Sequence, residues 1–181
     1  MRMRNIATLV LLALGALILL AAAPVPRPSP PLAIIGPAGN ETALAGLKGQ
    51  VVVAEFMLTR CPHCWRLAQT LAKLQNELGS RGFKPVGIAF DADMNGPLLA
   101  DFLKRSTVSF PIGYTTPGKV DSYLGRAAEE RFQVPQIVVI DRSGVIRAQS
   151  HPTGETDLEN EASLRKLLDG LLQEPAPASG P

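Results

Sequence analysis

Three mostly apolar runs in the middle of the chain, each with a single charged or polar residue, are its clearest pattern. They lie at residues 51–57, 84–90 and 136–140 and are rich in valine and isoleucine. A strand that is apolar on both faces is typical of the interior of a sheet, where other layers cover each side. The pattern therefore predicts three central strands, of which residues 51–57 form the first.

Leucines at intervals of three and four residues mark the predicted helices. The first helix starts at Pro62 and ends before Gly79, and its apolar repeat consists of Leu67, Leu71, Leu74 and Leu78. Residues 98–105 and 157–172 show similar spacing, with Thr156 as the predicted N-cap of the last helix. Three helices of this kind can cover the faces of the predicted sheet.

Shorter segments complete the order of elements. Strands are predicted at residues 32–35 and 145–149, the second one after a turn at residues 141–144, and residues 110–114 are predicted as a short strand or a loop. Short helices are predicted at residues 42–47 and 119–124. The alternation of strands and helices predicts an α/β fold with a central mixed β-sheet flanked by helices.

The chain begins with a segment that resembles a targeting signal and not a part of the folded domain. Arg2 and Arg4 precede residues 6–23, which contain no charged residue. This arrangement predicts a signal peptide or a signal-anchor helix at residues 1–23, with the following domain exported. Pro24 directly follows the alanines that would form a cleavage site. We therefore favour an uncleaved membrane anchor over a cleaved signal peptide.

Proline-rich stretches predict the limits of the domain. Residues 24–31 form an extended linker, residues 32–173 form one domain, and residues 174–181 form a disordered tail. The chain has 18 basic and 16 acidic residues, and without the two leader arginines these charges balance. A neutral domain predicts no nucleic-acid partner.

Both cysteines of the chain follow the first central strand. Cys61 and Cys64 stand at the start of the predicted helix, where free N–H groups and the helix dipole favour a thiolate. Two cysteines are too few for a disulfide scaffold or a four-cysteine zinc site, and so short a loop gains little from a structural disulfide. The spacing predicts a redox dithiol in which Cys61 is the nucleophile and Cys64 the resolving thiol.

The chain resembles the exported thioredoxin-like proteins of the TlpA/ResA type over about residues 32–172. Four stretches carry the resemblance: residues 47–53, 56–64, 109–111 and 134–146. The resemblance implies a thioredoxin-like fold and a thiol–disulfide oxidoreductase that uses a Cys61–Cys64 disulfide without a metal or organic cofactor. It also implies protein substrates that contain cysteines, and a membrane-bound or thioredoxin-like redox partner at the periplasmic or extracytoplasmic face.

The resemblance assigns roles to residues around the dithiol. Pro135 matches a cis-proline opposite the cysteines, which turns the backbone of Val134 toward the substrate. Glu55 lies where thioredoxins keep a buried aspartate, so it is a candidate to accept the proton of Cys64. The chain departs from the family pattern at Met57 and Arg60, which replace tryptophans. It departs again at Gln69, which replaces a proline and predicts a straight helix.

Three residues beside the cysteines leave the direction of electron flow open. Pro62 and His63 form the pair found in DsbA-type oxidants, and His63 and Arg60 could both stabilise a thiolate on Cys61. The family frame favours a reductase, which we take as the main hypothesis, with a thiol oxidase as the alternative. Two further alternatives are a copper-delivery protein similar to the Sco group and a thiol peroxidase, but neither matches the cysteine spacing of this chain.

Overall fold

A computed structural model describes residues 23–127, 131–154 and 156–176. The predicted signal or anchor at residues 1–23 lies outside the described residues except for Ala23. Among the helices that the structure describes, none has the length and hydrophobicity needed to cross a membrane.

The described residues form one mixed eight-stranded sheet with helices on both faces. Its strands are β1 (Arg27–Pro28), β2 (Ala33–Ile35), β3 (Glu41–Ala43), β4 (Val51–Met57), β5 (Phe83–Ala89), β6 (Ile112–Tyr114), β7 (Gln136–Ile140) and β8 (Val145–Gln149). The helices are α1 (Pro62–Leu78), α2 (Gly96–Arg105), α3 (Pro117–Leu124) and α4 (Glu161–Gln173), with short 3₁₀ turns at Leu44–Leu47, Gly79–Arg81 and Asp157–Glu159. This thioredoxin-like α/β architecture confirms the predicted fold class.

Strand β4 occupies the centre of the sheet. The strand order is β1-β8-β7-β4-β5-β6-β2-β3, with β4 parallel to β5 and antiparallel to β7. All seven β4 residues are buried, which confirms the prediction made from its mostly apolar sequence. Because side chains alternate along a strand, Val53, Glu55 and Met57 lie on the face covered by α1 and α4, and Val52 and Phe56 lie on the face covered by α3.

Helix α1 is continuous over 17 residues and begins at Pro62, as the leucine repeat predicts. Its buried face consists of Cys64, Leu67, Ala68, Leu71, Leu74 and Leu78. Gln69 is exposed, and the helix is continuous through this position. The dithiol therefore lies where the C-terminal end of a central strand meets the first turn of a buried helix.

Two predicted helices differ from the structure. Residues 42–47 are not one helix, because Glu41–Ala43 pairs with β2 and only Leu44–Leu47 coils, as a 3₁₀ turn. The last helix is divided in two: Thr156 caps the 3₁₀ turn Asp157–Glu159, and Asn160 caps α4. A second cap can form because the Asn160 side chain accepts a hydrogen bond from the Ser163 N–H.

Part of the segment predicted as a linker is docked on the domain. Arg27 and Pro28 form β1, which pairs antiparallel with β8 at the edge of the sheet. The Arg27 guanidinium donates to the Tyr123 carbonyl at 3.0 Å and to Gln149 Oε1 at 2.7 Å. The ordered structure in this region therefore begins before residue 32.

At the other end, Glu174 of the predicted tail forms an ion pair with Arg147, and residues 177–181 lie outside the described residues.

Candidate active site

Cys61 caps the N-terminus of α1 with its own side chain. Its Sγ accepts a hydrogen bond from the Cys64 N–H at 3.2 Å, and both cysteines are free thiols in this structure. Cys61 is half-buried, whereas Cys64 is fully buried against the core. This difference fits the predicted division of roles, since only Cys61 is open to an incoming sulfur atom.

The buried Cys64 thiol is held in its protonated form. Burial raises its pKa first of all, and the hydrogen bond with Cys61 and the nearby Glu55 carboxyl add to the increase. A thiol with a raised pKa attacks only after a base has taken its proton. The resolving step therefore needs a proton acceptor near Cys64.

Glu55 is fully buried on the face of β4 that α1 and α4 cover. Neither of its carboxylate oxygens has a hydrogen-bond partner among the described residues. Its pKa is raised well above the usual value by burial, then by the charges of Cys61 and Glu159. A buried carboxyl without partners is costly to keep, and its position beside the dithiol agrees with the proposed role as proton acceptor.

The loop before β7 faces the nucleophile. The Val134–Pro135 peptide bond is cis, as the resemblance implied, and the Val134 carbonyl accepts from Cys61 Sγ at 3.8 Å. Gln136 supports this loop, because its buried side-chain amide donates to the carbonyls of Gln133 at 2.7 Å and His151 at 3.4 Å. The structure thus brings Val134 and Pro135 together with Cys61.

The residues predicted to tune Cys61 are all exposed. Arg60, Pro62 and His63 face solvent, and the Arg66 guanidinium lies 2.8 Å from His63 Nδ1. Arg66 can only donate, so this His63 nitrogen accepts. Among the described residues, the backbone N–H of Cys64 is the donor that reaches Cys61 Sγ.

Asp91 is a contact of the active-site loop that the sequence patterns did not single out. Both of its carboxylate oxygens accept from the Thr59 N–H, at 3.2 and 3.1 Å, and one also accepts from Thr59 Oγ1 at 3.0 Å. Trp65 holds the same residue from the other side, since its indole N–H donates to the Thr59 carbonyl at 3.3 Å. The Trp65 ring packs on Phe102 with 4.9 Å between centroids, and this contact settles its place against α2.

Potential metal ligands are dispersed in the part of the chain that the structure describes. Within the described ranges, no three histidine, cysteine, aspartate or glutamate side chains are grouped as metal ligands. Cys61, Cys64 and His63 are close in sequence, but the His63 ring is engaged with Arg66. His151, the second histidine of the chain, is exposed and contacts Thr153.

Comparisons with known proteins agree with this geometry. The family model described as Redoxin matches residues 23–168. A solved structure described as a thiol:disulfide interchange protein of the thioredoxin family, from Chlorobium tepidum TLS, is 25% identical with a TM-score of 0.65, covering 83% of this chain and 99% of its own. A second one from Chlorobium tepidum, described as a thiol:disulfide interchange protein DsbE, is 21% identical with a TM-score of 0.66 and coverages of 81% and 96%.

The fold is also similar to that of BsSco, a member of the Sco family of cytochrome c oxidase assembly proteins. That structure is 15% identical, with a TM-score of 0.62 and coverages of 85% and 98%. Among curated protein sequences, none matches this chain. Since the family match spans most of the chain and its dithiol lies at the start of a buried helix, the protein belongs to the Redoxin family and is a thiol–disulfide oxidoreductase with the thioredoxin fold.

Proposed function

We propose that this protein is an exported, membrane-tethered reductase of protein disulfides that works through the Cys61–Cys64 pair. The Cys61 thiolate attacks one sulfur of a substrate disulfide, and the other substrate sulfur leaves as a thiolate. Cys64 then loses its proton to Glu55 and attacks Cys61 Sγ, which releases the second substrate thiolate. Two electrons pass to the substrate, and a second dithiol protein must return them to the Cys61–Cys64 disulfide.

The observation that carries the reductive direction is the contact of His63 with Arg66. A DsbA-type oxidant is strongly oxidising because its reduced form is stabilised. Here His63 is exposed and bonded to Arg66, and a buried carboxyl lies near the thiols. Within the described part of the chain, the hydrogen bonds of Cys61 Sγ are to Val134 and Cys64 and none is to a histidine, which supports a reductase.

The equilibrium reduction potential of the Cys61–Cys64 pair against glutathione tests this direction. We expect a value near that of thioredoxin, about −270 mV, and a value near about −120 mV would instead indicate an oxidant. A Cys64→Ala variant should trap substrates on Cys61 as mixed disulfides in cells. If no partner is trapped, exchange with proteins is not the function of this site.

The tether is proposed from residues 6–23 and from the path of the chain behind them. Strand β1 is antiparallel to β8, so the chain upstream of Arg27 runs toward the end of the sheet where Gln149 lies. That end also carries Gln136 and the last residues of β4, next to Cys61. A tether ahead of Ala23 would therefore enter from the active-site end of the domain.

Copper delivery remains the alternative from a different class, because the fold is similar to that of BsSco. A likeness at this identity concerns the fold alone. Titration of the reduced protein with copper(I) separates the two functions: tight stoichiometric binding that is lost in a Cys61→Ala variant would favour delivery. Weak binding together with disulfide exchange would favour the reductase.

A further inference from the structure

The loop that carries Cys61 is held by a residue from a distant part of the chain. Only Leu58, Thr59 and Arg60 separate β4 from Cys61, and Thr59 is the middle residue of this connection. Its N–H and hydroxyl groups bond to Asp91, and its carbonyl bonds to the indole of Trp65. Every polar group of Thr59 therefore has a partner outside the loop itself.

Asp91 is itself fixed by the fold. It directly follows Phe90, whose N–H donates to the Met57 carbonyl at 3.2 Å and whose ring stacks on Phe132. The Asp91 carbonyl in turn accepts from the Met94 N–H at 3.0 Å. The carboxylate thus projects toward Thr59 from a backbone that is anchored on both sides.

We propose that Asp91 is a positioning residue for thiol–disulfide exchange, which acts by holding Thr59 and thereby the place of Cys61 Sγ. Cys61 Sγ must face the Val134 loop while Cys64 stays within reach to resolve the mixed disulfide. Both hydrogen bonds at Cys61 Sγ, 3.8 Å to the Val134 carbonyl and 3.2 Å from the Cys64 N–H, involve sulfur, which is a weak donor and a weak acceptor. The position of the sulfur therefore depends on the backbone before Cys61. The hydrogen bonds between Asp91 and Thr59 fix that backbone. The role applies to electron flow in either direction.

Charge-assisted hydrogen bonds to a carboxylate are stronger than neutral ones, and small displacements of a reacting atom slow a reaction steeply. We therefore expect Asp91→Ala to lower the rate of exchange with a model peptide disulfide by about tenfold. Asp91→Asn keeps an acceptor for the Thr59 N–H and removes the charge. It should stay within about threefold of the natural protein, because the proposed role is positional.

Asp93→Ala is the matched control. Asp93 lies on the same loop and carries the same charge, but its exposed side chain has no hydrogen bond or ion pair among the described residues. Its rate should equal that of the natural protein. Thr59→Val removes the hydroxyl group alone and should slow exchange by about threefold. In the double variant, Thr59→Val should cause no further loss, because Asp91→Ala has already removed the contact that the hydroxyl group makes.

Thermal unfolding of each variant, and exchange rates measured well below its midpoint, separate a positional effect from loss of folded protein. The proposal is overturned if folded Asp91→Ala exchanges at the natural rate, or if Asp93→Ala is slowed as much. If Asp91→Ala does not fold, Thr59→Val decides: a natural rate in Thr59→Val would overturn the proposal, and a loss of about threefold in Thr59→Val beside a natural rate in Asp93→Ala would support it.

Discussion

At the scale of single residues, the burial of the Glu55 carboxyl is unfavourable for the stability of the fold. It is fully buried on a central strand without a hydrogen-bond partner for either oxygen among the described residues. Replacement by an apolar residue of similar size would fit this position better, since unpaired buried carboxyls destabilise a fold. The role proposed for Glu55 as the proton acceptor of Cys64 would account for this cost.

Glu55→Gln should slow the resolving step while leaving the first attack by Cys61 nearly unchanged. The amide cannot accept the proton of Cys64, and general-base catalysis contributes about a hundredfold or more at such steps. Stopped-flow measurement with a fluorescent peptide disulfide would show the mixed disulfide accumulating in the variant. If the second step kept its natural rate, Glu55 would not be the acceptor, and the burial would need another explanation.

The same substitution should change how stability depends on pH. The pKa of Glu55 is raised above its ordinary value of 4.5 in the folded protein. The folded state therefore keeps a proton that the unfolded state releases, and stability from this group is lost as the pH rises above about 4.5 toward the raised pKa. The stability of Glu55→Gln relative to the natural protein should thus increase over that range. Chemical denaturation at pH 4, 6 and 8 would measure the difference, and a constant difference would contradict the raised pKa.

At the scale of elements, β1 shows that a proline-rich segment can belong to a sheet. Pro28 is tolerated because it lies on an edge strand, where its missing N–H leaves no ladder bond unmade. The main-chain pairing continues at Ser29, whose N–H donates to the Gly144 carbonyl at 2.9 Å. The Ser29 hydroxyl also lies 2.8 Å from the Tyr123 hydroxyl, which ties this segment to α3.

Arg27→Ala should therefore lower the free energy of unfolding by about 1–2 kcal/mol, since it removes two hydrogen bonds of a half-buried guanidinium. Arg81→Ala is the control, because the ion pair of Arg81 with Asp169 is exposed and should contribute less than about 1 kcal/mol. Urea denaturation of both variants gives the comparison. Equal small losses would mean that the segment before residue 32 is only a linker.

At the scale of the whole molecule, the path of the N-terminal segment relates the dithiol to the proposed tether. The Ala23 side chain lies against Gly125, where an added Cβ would be 2.6 Å from that of Ala23. Arg126 follows and stacks on Phe132, which precedes Val134 by two residues. Among the described residues, Val25 and Leu98 are large apolar side chains exposed to solvent, and Leu98 lines a surface depression together with Thr59 and Arg60 of the active-site loop.

We predict that the tethered protein holds its active-site end toward the bilayer. The four Cα–Cα steps from Ala23 to Arg27 span at most about 14 Å when extended, so the domain cannot turn freely away. A fluorophore on Cys61 in full-length Cys64→Ala should be quenched by headgroup-labelled lipids in vesicles. A fluorophore on Ser80→Cys in a Cys61→Ala, Cys64→Ala background should be quenched less, because Ser80 lies at the opposite end, beside the start of β5. Stronger quenching at position 80 would reverse the orientation, and protein that remained free of the vesicles would instead argue against the tether.

The sequence alone was sufficient for the features that depend on local patterns. Mostly apolar runs placed β4, β5 and β7, the leucine repeat placed α1, and the spacing of Cys61 and Cys64 identified the dithiol. Resemblance added the cis peptide bond before Pro135. These features could be predicted because each is encoded within about twenty consecutive residues, as strand burial, helix periodicity or a short motif.

The tertiary structure alone decided the contacts between remote segments. Thr59 and Asp91 are 32 residues apart, and nothing in the local sequence of either residue marks them as partners. The two-residue strand β1 has no pattern of its own, because its pairing depends on an edge that β8 offers. The sequence makes His63 a candidate to stabilise a thiolate on Cys61, and only the structure identifies Arg66 as a hydrogen-bond partner of its ring. Which groups meet is set by packing of the whole chain, and local sequence records only which groups are present.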